Sequence, residues 1–141
     1  MTTLRALTLA ILLAGLLPAG ALAAMLFKDP LCDCCTAYGE LLRAAGFELA
    51  VEDTEDLDAV KARFRVPRDM AGCHTTVIDG YAVEGHVPIA VLQRFLAERP
   101  DVDGIALPGM PEGSPGMSGT KAAPFEVYTF KDGEAALYAV E

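Results

Sequence analysis

Four cysteines and two histidines are the residues of this chain whose types and spacing could do chemistry. Cys32, Cys34 and Cys35 stand close together, and Cys73 is the fourth cysteine. Cys32 and Cys35 form a C-x-x-C frame, which is typical of thiol–disulfide exchange when it lies at a helix N-terminus that lowers a thiol pKa. This interpretation gives catalytic roles to Cys32 and Cys35 and leaves Cys34 unused.

A soft-metal site is the second interpretation of the same cysteines. Thiolate and thioether sulfurs select Cu(I), whereas zinc accepts thiolates together with imidazoles. Closely spaced cysteines do not comfortably occupy three corners of one tetrahedral zinc ion, but they fit bridging thiolates that several Cu(I) ions share. A mononuclear site on Cys32, Cys35 and Cys73 stays open, and so does a structural zinc site.

Two histidines and two methionines extend the set of candidate donors. His86 precedes a predicted helix and is a candidate ligand, with a helix cap or a packed imidazole as the alternative. His74 follows Cys73 directly, and we expect it to point away because neighbouring side chains on an extended segment alternate. Met110 and Met117 lie in a Gly/Pro-rich stretch, residues 104–124. A loop of that length usually acts as a lid or binding element rather than a solvated connection, which makes Met117 a candidate thioether ligand.

Structural disulfides are the remaining interpretation, because an exported protein with four cysteines often contains two of them. Vicinal Cys34 and Cys35 pair with each other only through strain. A domain of this length also has enough core to fold without such cross-links. Both arguments favour a functional role for the cysteines.

Export is predicted from residues 1–23. Arg5 precedes an apolar run over residues 7–17, and residues 21–23 have the small-x-small form of a signal peptidase site. The run is shorter than the ~20 residues that a membrane-spanning helix needs. We therefore expect a cleaved signal peptide, a periplasmic location without a membrane anchor, and one mature domain over residues 24–141.

The mature domain is acidic. The whole chain carries a formal net charge of −9, and removing the leader takes away Arg5 and no acid, which makes it −10. Nucleic acids and anionic membranes need a basic surface, so the charge argues against both as partners. It is compatible with cations.

Hydrophobic periodicity predicts the elements that must position these residues. Strands are expected at residues 25–27, 47–51, 75–78 and 81–83, with helices from Thr36, from Asp56 and from Pro88. The second helix should bury Leu57, Val60 and Phe64. A C-terminal hairpin should join residues 125–130 and 135–140. The order β-α-β-α-β-β-α, followed by the long Gly/Pro/Met loop and the hairpin, predicts an α/β, thioredoxin-like fold, in which the turn carrying Cys73 lies beside the first three cysteines.

Five segments together resemble the CopG-type periplasmic copper-resistance proteins: residues 28–35, 72–75, 80–88, 107–111 and 113–117. The resemblance implies a thioredoxin-like fold and a copper–thiolate centre, multinuclear and able to interconvert Cu(I) and Cu(II). It implies copper ions and other periplasmic copper-handling proteins as partners. The metal ligands that it implies are Cys32, Cys34, Cys35, Cys73, His86 and Met117. Asp33 and Tyr38 depart from the family, which usually has Gly and Trp there, and the resemblance leaves open whether the activity is enzymatic.

Overall fold

Seven strands and three helices lie along residues 22–141, the part of the chain that this computed structural model describes. The strands are β1 Ala23–Lys28, β2 Glu48–Asp53, β3 His74–Ile78, β4 Tyr81–Gly85, β5 Gly104–Leu107, β6 Glu126–Lys131 and β7 Glu134–Val140. The helices are α1 Asp33–Ala44, α2 Leu57–Arg63 and α3 Ile89–Glu98, with a short 3₁₀ turn at Arg68–Met70. The predicted leader falls almost entirely outside the described residues and stays a prediction.

All seven strands form one sheet in the order β2-β1-β3-β4-β5-β6-β7. The β1–β2 and β4–β5 pairs are parallel, and the other neighbours are antiparallel. Asp79-Gly80 and Asp132-Gly133 turn the two hairpins with positive φ at each residue, as a type I′ turn requires. The mixed α/β class and both predicted hairpins are therefore present.

Helices cover both faces of the sheet. Val83 and Ile105 pack with apolar side chains of α1 and α3, whereas Ala82 and Ala106 pack with Met70 and the end of α2. Because successive side chains on a strand point to opposite faces, α1 and α3 lie on one face and the segment from α2 to Met70 on the other. Within residues 22–141, no helix is long and apolar enough to cross a membrane.

Two predicted boundaries were wrong. Helix α1 begins at Asp33 rather than Thr36, because the sulfur of Cys32 caps the helix by accepting from the backbone N–H of Cys35. The stretch predicted as a loop from residue 104 begins with β5. All four residues of β5 are buried, so they show no alternation that would reveal a strand. Gly104 is required there, since a Cβ would overlap the carbonyl oxygen of Ala82 on β4.

Candidate metal centre

The turn between β1 and α1 presents three of the cysteines. The N–H of Cys32 donates to the carbonyl of Asp29 at 3.0 Å, and the Cys35 N–H donates to the Cys32 sulfur at 3.3 Å. Cys34 and Cys35 therefore lie in the first turn of α1.

Lys28 fixes the start of that turn. Its side chain is buried, and its ammonium donates to the carbonyls of Asp29 at 3.1 Å and Pro30 at 3.4 Å while pairing with Asp53 at 3.0 Å. The last residue of β1 thus ties β2 to the segment that leads into Cys32.

Sheet pairing brings Cys73 to the same place. Lys28 at the end of β1 is the antiparallel register partner of His74 at the start of β3, so the residues beyond them meet at one edge. The Cys73 sulfur lies 3.5 Å from that of Cys35 and 3.9 Å from that of Cys34. The sulfurs of all four cysteines lie within 4.8 Å of one another, as the sequence predicts.

A disulfide joins Cys32 and Cys35, and Cys34 and Cys73 are free. The sulfur of Cys34 lies 3.5 Å from that of Cys32, so each free thiol is adjacent to one sulfur of the disulfide. The disulfide is the oxidised form of this pair and accepts two electrons and two protons when it is reduced to two thiols. Reduction would provide four thiol groups in the same small volume.

Both histidines face the cluster from its buried side. The Cys73 sulfur lies 3.1 Å from Nε2 of His86 and 3.3 Å from Nδ1 of His74. The expectation that His74 points away was wrong: although it begins β3, its ring lies beside the Cys73 sulfur and packs edge-on to His86 at 4.8 Å between centroids. His74 is thus a candidate donor that sequence alternation missed, and its adjacency to Cys73 was the signal.

Backbone contacts set the protonation of His86. Its Nδ1 donates to the carbonyl of Pro115 at 2.7 Å, because a carbonyl oxygen can only accept. Nε2 of the neutral ring therefore presents a lone pair toward Cys73, as a metal-binding imidazole would. Burial lowers the pKa of His86 and lowers that of His74 to about 3, with the charges of His86 and Lys61 adding to the effect on His74.

Burial raises the pKa of the Cys73 thiol to about 12, and the neighbouring Cys34 adds to the rise. Without a cation the thiol is neutral near pH 7. A bound cation would offset that burial, since metal binding to a thiol releases its proton.

The ring of Tyr38 packs against the imidazole rings of His74 and His86. Its ring centroid lies 4.9 Å from that of His74 and 5.4 Å from that of His86. Its hydroxyl donates to the carbonyl of Val87 at 2.8 Å, and burial raises its pKa above the ordinary value. Tyr38 therefore packs against both imidazole rings as well as contributing to the core.

The Gly/Pro/Met loop lies directly on α1. A Cβ on Gly116 would sit 2.8 Å from the backbone nitrogen of Tyr38 and 3.0 Å from the carbonyl oxygen of Cys34. Met117 follows Gly116 and is half-buried, whereas Met110 is 40% exposed. Residues 108–124, called here the covering loop, thus pack against the first turns of α1. Ligation by the Met117 thioether stays a prediction.

A buried ion pair lies on the opposite face of the sheet. Lys61 of α2 pairs with Glu84 of β4, which is fully buried and also accepts from the hydroxyl of Thr75 and the N–H of Gly72. The sequence analysis assigned these residues no role. Lys61 lies on the apolar stripe of α2, and a lysine in that position was the available signal.

The donor set fits a soft cation. Once the Cys32–Cys35 disulfide is reduced, four sulfurs and two neutral imidazoles are more donors than one tetrahedral ion uses, and thiolates favour Cu(I) over harder ions.

Two solved structures of copper resistance protein CopG, forms 2 and 1, resemble the chain with TM-scores of 0.79 and 0.78. Each is 42% identical in sequence, over 86% of this chain and 98% of the other. A family described as "Protein of unknown function, DUF411" matches residues 70–117. No curated protein matches the chain.

Proposed function

Because the chain belongs to the CopG family of copper resistance proteins, we propose that it binds copper as Cu(I) through the thiolates of Cys32, Cys34, Cys35 and Cys73. The observation that carries this proposal is the meeting of four cysteine sulfurs from two distant segments within 4.8 Å. Soft thiolate ligands are those that Cu(I) prefers. His86 and Met117 complete the proposed ligand set, and we add His74 because its Nδ1 lies 3.3 Å from the Cys73 sulfur.

The donors favour a site that holds more than one copper ion. Adjacent thiolates from Cys34 and Cys35 cannot spread comfortably around one tetrahedral ion, whereas thiolates can bridge neighbouring Cu(I) ions. A centre with several copper ions would use every one of these donors as a ligand. A mononuclear site would leave some of the converging donors unused.

Interconversion of Cu(I) and Cu(II) is part of the proposal. Two Cu(II) ions accept one electron each from the thiolates of Cys32 and Cys35, which join in a disulfide, and the products are two Cu(I) ions. The reverse reaction oxidises two Cu(I) ions and breaks the S–S bond. The Cys32–Cys35 disulfide beside two free thiols supports this role.

We place the protein in the periplasm, exported by residues 1–23, and propose that it exchanges copper with other periplasmic copper-handling proteins. A disulfide suits an oxidising compartment. We also infer a thioredoxin-like arrangement. It is supported by parallel β1 and β2 joined through α1, and by antiparallel β3 and β4 followed by α3.

Thiol–disulfide exchange with other molecules is the second candidate function, favoured by the C-x-x-C disulfide at the start of α1. It requires only Cys32 and Cys35. The convergence of Cys34, Cys73 and both histidines on the same point has no part in such exchange, and copper binding accounts for all of them.

A pair of assays distinguishes the two functions. The reduced protein is titrated anaerobically with Cu(I) against a competing chelator, and the same preparation is tested for reduction of insulin disulfides. We expect it to take copper from the chelator and to leave insulin intact. Insulin reduction without copper binding would establish the second function and overturn the first.

A further inference from the structure

We propose that the buried Lys61–Glu84 ion pair is a positioning element of the metal centre, which holds Cys73 against His86. This inference rests on the proposed copper-binding function. Neither residue hydrogen-bonds to the cluster's sulfur or imidazole atoms. Apart from the charge of Lys61, which lowers the pKa of His74 and of Cys73, they act through the two backbone segments that carry Cys73 and His86.

Glu84 connects those segments. Its Oε1 accepts from the Lys61 ammonium and from the N–H of Gly72 at 2.6 Å, and its Oε2 accepts from the Thr75 hydroxyl at 2.6 Å. Lys61 also donates to the Thr75 hydroxyl oxygen at 3.2 Å. One carboxylate therefore binds α2, the start of β3 and the residue before Cys73.

Glu84 joins residues 72–73 to residues 84–86, and these two segments must lie together for Cys73 to face His86. Gly72 directly precedes Cys73. Glu84 lies near the end of β4, two residues before His86. The segments touch, since a Cβ on Gly72 would lie 2.9 Å from the Cα of Gly85. The resulting separation of the Cys73 sulfur from His86 Nε2 is 3.1 Å.

Stability alone does not explain why charges are buried here. Desolvating an ammonium and a carboxylate costs about as much as their attraction returns, and well-packed apolar residues often replace such pairs without loss. An ionised carboxylate accepts at both oxygens and donates nowhere, which matches the three donors around Glu84. An apolar pair would leave the Gly72 N–H and the turn before Cys73 without this anchor.

The test compares Glu84→Gln, the charge-free double variant Lys61→Met/Glu84→Leu, and Asp101→Asn as control. Asp101 forms an exposed ion pair with Lys131 and has no contact with the cluster. The reduced proteins are compared for thermal unfolding, Cu(I) affinity, the nitrogen-to-sulfur ratio around copper by X-ray absorption, and alkylation of Cys73 relative to Cys34 without metal.

We expect the double variant to fold and to unfold above Glu84→Gln, because neither charge is left alone, but below the wild type, because the Gly72 N–H and the Thr75 hydroxyl lose their partners. It should nevertheless lose more affinity for Cu(I) than this loss of stability explains. Loss of such supporting groups typically costs about 10–100-fold in metal affinity. The nitrogen contribution should fall and alkylation of metal-free Cys73 should rise. Glu84→Gln should show the same losses with a lower unfolding temperature, and Asp101→Asn should match the wild type.

A folded double variant with wild-type affinity, nitrogen contribution and Cys73 alkylation would overturn the inference and leave copper binding intact. Failure of the wild type itself to bind copper would overturn the proposed function. The alkylation of metal-free Cys73 would then still decide whether the ion pair positions it.

Discussion

The sulfur of Cys73 lies 3.5 Å from the sulfur of Cys35, although 38 residues separate them in sequence. The antiparallel pairing of β1 with β3 produces this contact, because Lys28 and His74 are register partners and the cysteines lie just beyond them. The centre therefore depends on the register between β1 and β3. The covering loop and the Lys61–Glu84 ion pair add further contacts around it.

Reduction of the Cys32–Cys35 disulfide should control copper loading. The disulfide removes two thiolates from the cluster, so the oxidised protein should retain less Cu(I) than protein treated with a phosphine reductant. Metal analysis after desalting measures this, with thiol titration to confirm each redox state. Equal copper content in the two forms would mean that Cys32 and Cys35 are not ligands.

Replacement of Gly116 by alanine should loosen the covering loop. Gly116 and Gly109 both have left-handed backbone, with φ of +83° and +79°, but only Gly116 is in contact with α1. Gly116→Ala should lower the free energy of unfolding by about 1–3 kcal/mol, more than Gly109→Ala does, because it adds a clash with α1 to the shared backbone strain. Urea unfolding measures both. Equal losses would show that the loop does not depend on packing against the first turns of α1.

Exchange of Met117 for leucine should weaken Cu(I) binding, since leucine keeps the bulk and removes the thioether. Met110→Leu is the matched control from the same loop, where the side chain is 40% exposed. Chelator competition gives the two affinities. If both variants bind as the wild type does, the loop acts as a cover without providing a ligand.

Low pH should destabilise the metal-free protein through its histidines. The folded-state pKa of His74 is lowered to about 3 and that of His86 is also lowered, so the unfolded chain binds protons that the folded chain does not. The contribution is fully present above the ordinary pKa of 6.5 and is lost as the pH falls from there toward about 3 for His74. The free energy of unfolding changes by at most about 1.4 kcal/mol per pH unit for each histidine.

Urea unfolding between about pH 7 and about pH 5 measures that slope before most carboxylates titrate. His74→Gln should flatten it, whatever the variant's stability at neutral pH. An unchanged slope in His74→Gln would show that His74 is not held neutral by burial.

Much of this arrangement was predictable from local chemistry. Asp79-Gly80 identified a type I′ hairpin, and the strand before Cys32 and the turn at Cys73 placed the cysteines together. Strand β5 was not predictable, because a short strand buried on both faces has no alternation.

Long-range contacts account for the rest. His74 was expected to turn away, but the turn before β3 brings its ring beside the Cys73 sulfur. Lys61 and Glu84 lie 23 residues apart and meet only when α2 packs against β3, the neighbour of β4 in the sheet. A lysine on the apolar stripe of α2 indicated a buried charge, but no local pattern identified Glu84 as its partner.

Copper content after anaerobic Cu(I) loading tests the central claim most directly. Reduced wild type is compared with Cys34→Ser and Cys73→Ser, one variant from each segment of the cluster, and with Met110→Leu as control. We predict that the wild type and the control retain more than one copper ion per chain and that both cysteine variants retain less. Trace copper in the wild type, or undiminished copper in both cysteine variants, would contradict the proposed centre.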